Sequence, residues 1–138
     1  MAFFDDTKEE QFKEEQFMDK QTAITIANES LQAEILKPSN TQFSLVVRYG
    51  NQEGWWINIP LANFRKENHF LLCSEKARIM RHFCIKANQI LSPATKFRVK
   101  DGVADLFISN ANPKKPVDVL EGGSKYSLTK HFVDEHRF

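Results

Sequence analysis

Cysteine is scarce: the 138 residues hold only Cys73 and Cys84. Neither lies in a CxxC or Cys/His spacing that would announce zinc or thiol-redox chemistry. Both read as reduced, buried or partly buried residues that behave as small hydrophobes. No run of about 18 apolar residues exists. The N-terminus, MAFFDDTKEE, carries acids where a signal peptide needs a basic and then an apolar region. The expected location is therefore the cytoplasm, with no membrane partner. Internal repeats are absent, and so are GxxxxGK[ST] and GxSxG motifs. His131 and His136 in HFVDEH lack the spacing of HExxH and have no third ligand, while His69 and His82 fall in a basic region as polar surface residues. Nothing here asks for an enzyme, a metal or a cofactor. Tryptophan also occurs only twice, as the adjacent pair Trp55 and Trp56.

What is present is ordinary in bulk and uneven in distribution. A composition that is 41% hydrophobic and 27% charged suits one soluble domain with tails. Residues 1–20 carry three basic and seven acidic side chains, and the rest carries 16 basic and 11 acidic. Residues 65–100 hold nine basic against two acidic. An acidic arm before a basic body is a hint of polyanion binding. Phe3, Phe4, Phe12 and Phe17 interrupt the arm's charges. It reads either as a frayed terminus or as a flexible segment that orders when its aromatics dock on a neighbouring copy, giving a homodimer or higher assembly.

From residue 22 the pattern is read with period two. Residues 22–27 and 31–37 are expected as β-compatible runs, with 28–30 as a turn or bulge and Pro38 as a stop. QFSLVVRY, 42–49, and GWWINIPL, 54–61, are half-buried strands rich in β-formers. Residues 62–72 read as an irregular connection. Ser74 then caps a helix to about Leu91, with Ile79, Met80, Phe83, Ala87, Ile90 and Leu91 on one stripe and Pro93 beyond its end. In KFRVKDGVADLFIS, Asp101-Gly102 marks a two-residue type I′ hairpin. That hairpin sets Arg98 opposite Asp105 and Lys100 opposite Val103, with Phe107 an exposed aromatic on the basic face. Residues 111–138 form a partly mobile C-terminal extension, with a short helix or a mobile stretch over 124–138.

Strand, strand, strand, helix, strand, strand is the order of an OB-fold. The expected fold is mainly β with one helix, a five-stranded OB-fold-like Greek-key barrel over residues 21–110 with the helix between strands three and four. A generic α+β fold, with a helix across an antiparallel sheet, fits the same pattern. Taking residues 50–54 as a five-residue hairpin loop pairs Arg48 with Trp56 on a polar face and turns Trp55 inward. Arg48 and Trp56 then make a cation-π platform. Bases stack on such aromatics while cations neutralise phosphates, and Arg48, Trp56, Phe64, Arg65, Lys66, Arg98, Lys100 and Phe107 supply both kinds of group. Trp56 packed under a further element and Phe64 plugging a barrel end are the structural alternatives.

With these residues in place, the chain resembles OB-fold single-stranded DNA-binding proteins of the kind carried by phages or conjugative plasmids. The resemblance is architectural and covers residues 22–110. It implies sequence-tolerant binding of single-stranded DNA, with RNA and duplex DNA as further ligands to compare. The C-terminal HFVDEHRF departs from the acidic, Phe-terminated tip of bacterial housekeeping members, since His136 and Arg137 do not fit it. A different class of function, a small phage or plasmid interaction protein that inhibits or adapts a host protein, is the alternative.

Overall fold

The computed structural model describes residues 18–138. Phe3, Phe4, Phe12 and Phe17, the expected self-association residues, lie outside them. Helix α1, Lys20–Leu31, opens the described chain. The Asp19 side chain accepts a hydrogen bond from the Thr22 amide at 2.8 Å, which satisfies one of the helix's free N–H groups. Residues 22–27 were expected in a strand because isoleucine and threonine are β-formers. The buried positions are instead Ala23, Ile24 and Ala27, one stripe of a helix. Residues 31–37 are not a strand either. Asn28 holds this segment as a loop, its Oδ1 accepting from the Ile35 and Leu36 amides and its Nδ2 donating to the Leu36 carbonyl.

Eight strands follow: β1 Thr41–Leu45, β2 Val47–Tyr49, β3 Gln52–Pro60, β4 Asn68–Ser74, β5 Ile79–Ile85, β6 Arg98–Lys100, β7 Val103–Ser109 and β8 Phe132–Arg137. A four-residue helix, α2, Pro93–Lys96, precedes β6. The strands form two four-stranded sheets, ordered β1-β4-β5-β8 and β2-β3-β7-β6. The fold is thus mainly β with few helices, and among the described residues two sheets stand in place of a five-stranded barrel. The β1–β4 pair is parallel and the other pairs are antiparallel.

The largest departure from expectation is at residues 62–91. The supposed connection contains β4, buried along almost its whole length, and the supposed helix is a turn followed by β5. Ser74 caps that turn, its Oγ accepting from the Ala77 amide, and Arg78 takes a positive φ of 57°. Both faces of β4 and β5 are covered, so the polar/apolar alternation that identifies a half-buried strand is missing. The stripe through Ile79, Met80 and Phe83 then satisfies a helical period by coincidence. Likewise Phe132–Arg137, expected as a short helix or mobile stretch, pairs with β5 at the edge of the first sheet.

The main core lies between the sheets. Trp55, Ile57 and Ile59 of β3 and Ala104, Leu106 and Ile108 of β7 meet Phe70 and Leu72 of β4 and Phe83 and Ile85 of β5. The opposite face of the first sheet presents Leu71, Cys73 and Met80 to Ala23, Ile24 and Ala27 of α1. The order of layers is helix, sheet, sheet. At the seam, β1 passes into β2 through Val46, and the Gln42 side chain both donates to the Asn58 carbonyl and accepts from the Asn58 amide. A side-chain amide here stands in for a strand ladder.

Candidate functional site

The outer face of the second sheet is set by one turn. β2 and β3 are joined by two residues, Gly50 and Asn51, not by five, and the pairs are Tyr49 with Gln52, Arg48 with Glu53 and Val47 with Gly54. Gly50 has a φ of 62°, which suits the first position of a type II′ turn. Changing the sum of paired positions from even to odd moves alternate side chains to the other face. Arg48 therefore does not face Trp56. It lies on the face of Trp55, 3.8 Å from the Glu53 carboxylate, with both groups exposed, a pair that contributes little.

Tyr49 takes the place beside Trp56. Their ring centres are 5.1 Å apart and edge-on, and Phe107 lies 5.0 Å from Trp56 and 5.3 Å from Tyr49. Such arrangements suit the quadrupoles of aromatic rings. Phe107 is on the expected face but wholly buried, because the other two rings close over it and Gly54 leaves it room. A Cβ at Gly54 would come 2.1 Å from the Ile108 carbonyl oxygen and 2.9 Å from the Phe107 ring. Trp56 is half-buried and Tyr49 is 42% exposed. Trp55 faces inward as expected, and its Nε1 donates to the Cys73 carbonyl at 3.0 Å.

Along the same face a polar row follows, in which Asn58 donates to Asp105 at 2.6 Å and Arg98 lies 3.6 Å from that carboxylate. Next comes Lys100, exposed and opposite Val103. Arg65 and Lys66 are exposed at the 3-10 turn, Leu61–Arg65, that follows β3. Phe64 is excluded from the surface: it is buried and stacks on Phe97 at 5.8 Å, the plugging role that was its alternative. The face thus unites Trp56, Arg98 and Lys100, keeps Phe107 as a support, and loses Arg48 and Phe64. The five-residue loop sets Tyr49 opposite Trp55 on the apolar face, which the observed pair with Gln52 corrects, although Gly50-Asn51 is itself a hairpin signal that would have placed it.

A second constellation lies on the helix-covered side of the first sheet. His69 and His82, expected at the surface, are buried, as is His136. His69 Nδ1 is 2.9 Å from His82 Nε2, and His69 Nε2 is 3.0 Å from Glu67 Oε2. Asp134, opposite His82 on β8, accepts from Ser30 of α1. Cys84 is paired with His69 across the β4–β5 ladder. Burial, with the Glu67 charge, pushes its thiol up to about 11. Alternation from Leu71 back to His69, and from Met80 on to His82 and Cys84, is the signal that would have grouped them.

Burial, reinforced by His69 and His136 and opposed by Asp134, lowers His82 from its usual 6.5 to about 4. The folded protein holds this imidazole neutral, whereas the unfolded chain takes up a proton below about 6.5. Stability is therefore complete above that pH and is lost as pH falls towards 4, by about 3 kcal/mol. Urea midpoints between pH 7 and pH 4 should fall in wild type and fall less in His82→Gln. Equal slopes in the two proteins would mean that His82 is not the group responsible.

Among the described residues no helix is long and apolar enough to cross a membrane. Compared with family models, curated proteins and solved structures, the chain matches none.

Proposed function

We propose that the protein binds single-stranded nucleic acid, largely without regard to sequence, on the outer face of the second sheet. The observation that carries this reading is the Tyr49–Trp56 pair, held from beneath by Phe107, on a face that also carries Arg98 and Lys100. Rings fixed in orientation lose little entropy when a base stacks on them, and each stacked base is worth roughly 1–3 kcal/mol. The exposed cations lie towards one end of the face, where phosphates would run. The reading rests on this sheet face and not on a closed OB-type barrel. It includes self-association, with the acidic arm bridging copies along a strand.

Labelled oligonucleotides of DNA and RNA, single-stranded and duplex, provide the test. Single strands should bind, with log affinity falling linearly with log salt. Tyr49→Ala and Trp56→Ala should each weaken binding about 5-fold to 150-fold, the equivalent of one stacked base, while both variants stay folded. Lack of binding at low salt would reject this function and favour the host-protein interaction role. Removal of residues 1–17 should reduce light scattering from assemblies on DNA; unchanged scattering would end the bridging part alone.

A further inference from the structure

We propose that Glu67, His69 and Cys84 form a zinc-binding site. Their ligand atoms, a carboxylate oxygen, an imidazole nitrogen and the Cys84 sulfur, all lie within 4.8 Å of one another. The arrangement follows from the β4–β5 ladder. His69 and Cys84 are direct cross-strand partners, which puts their side chains on one face about 5 Å apart at the Cβ atoms. Glu67, two residues before His69, reaches the same side and touches its Nε2.

The geometry is close to what the ion needs. Zinc bonds of about 2.0–2.1 Å to nitrogen and oxygen, at a tetrahedral angle, hold those atoms about 3.3 Å apart. His69 Nε2 and Glu67 Oε2 are already 3.0 Å apart. A zinc ion would take the position between them: His69 keeps its one ring proton, on Nδ1, and turns the Nε2 lone pair to the ion, while the Cys84 thiol gives up its proton to solvent as it becomes a thiolate ligand. Thiolate and carboxylate then cancel the charge of the ion. Thiolate and imidazole select zinc over magnesium or calcium, which prefer oxygen. The fourth position is left for water, as in zinc sites with three protein ligands.

His82 completes the site without touching the ion. Its Nε2 lies 2.9 Å from His69 Nδ1. When His69 Nε2 binds zinc, Nδ1 carries the proton and donates it to His82, which fixes the ring and its tautomer. His82 is thus a positioning residue. The Glu67 side chain is 46% exposed, which leaves a path for the ion to enter.

The test uses the full chain after treatment with a chelator, with Co²⁺ as the optical probe and Zn²⁺ as its competitor. One equivalent of Co²⁺ should produce a thiolate-to-cobalt charge-transfer band that Zn²⁺ abolishes. Cys84→Ser should remove the band. Glu67→Gln, at an exposed position that does not endanger the fold, should weaken zinc binding at least tenfold. His82→Gln should keep the band and weaken binding about 10-fold to 100-fold. A wild-type protein without the band, a band that survives Cys84→Ser, or unaltered affinity in Glu67→Gln would each overturn the site. Circular dichroism of every variant separates loss of ligand from loss of fold.

Discussion

Replacing Asp118 by alanine should cost the protein roughly 2–6 kcal/mol, a large share of the stability of a domain of this size. Asp118 is fully buried, and its Oδ1 accepts from the Phe107 and Leu120 amides at 3.0 and 3.1 Å. Each buried amide left without an acceptor costs about 1–3 kcal/mol. The carboxylate ties residues 118–120 to β7, and β7 carries the ring that supports Tyr49 and Trp56.

Asparagine should behave differently. It keeps the accepting oxygen and discards the charge. Burial raises the Asp118 carboxyl above its usual range, against the two amide bonds and the Arg98 charge. The folded state therefore binds this proton more tightly than the unfolded chain does, and ionisation at neutral pH subtracts from stability. Asp118→Asn should be at least as stable as wild type at pH 7. Urea unfolding of the two variants decides the matter: if alanine is tolerated as well as asparagine, the carboxylate does not hold this segment.

The second large effect concerns the adjacent tryptophans. Trp55→Ala should lower stability by about 3–5 kcal/mol, because it empties a large volume between the sheets. It also strips the buried Cys73 carbonyl of the indole N–H. Trp56→Ala removes a half-buried ring from the outer face and should cost clearly less. Denaturation midpoints of the pair provide the measurement. Equal losses would contradict the assignment of one indole to the core and the other to the surface.

Legibility followed the range of the interactions. The Asp101-Gly102 hairpin was readable to the residue over the three pairs next to its turn, Arg98 opposite Asp105, Val99 opposite Ala104 and Lys100 opposite Val103, whereas Lys96 and Phe97, expected opposite Phe107 and Leu106, end the helix α2 instead. A type I′ turn needs positive φ at both central residues, and here they are 55° and 77°. β3 and the inward face of Trp55 were equally plain, because one side of that strand meets the core and the other does not. β4 and β5 were hidden because a helix and a second sheet cover both of their faces, and no local pattern records a covering element. α1 was obscured by β-forming composition that its cap and its packing override. Arg48 was misplaced by the length of one loop, and with it half of the supposed platform. Phe64 and Phe107 show the same limit: phenylalanine on a basic segment carries no mark of whether it ends outside or within.

The two sheets also dictate an order of assembly. The β2–β3, β4–β5 and β6–β7 hairpins close over short turns and are the cheapest contacts the chain can make. The ladders that unite them wait on distant partners, Pro60 on Val103 and Ile79 on Arg137, and such topologies fold slowly. Until Phe132–Arg137 arrives, one side of β5 offers its backbone groups to any passing strand. β8 thus covers that side of β5 and becomes the edge in its place, and the interval before it docks is when a crowded solution would do most harm.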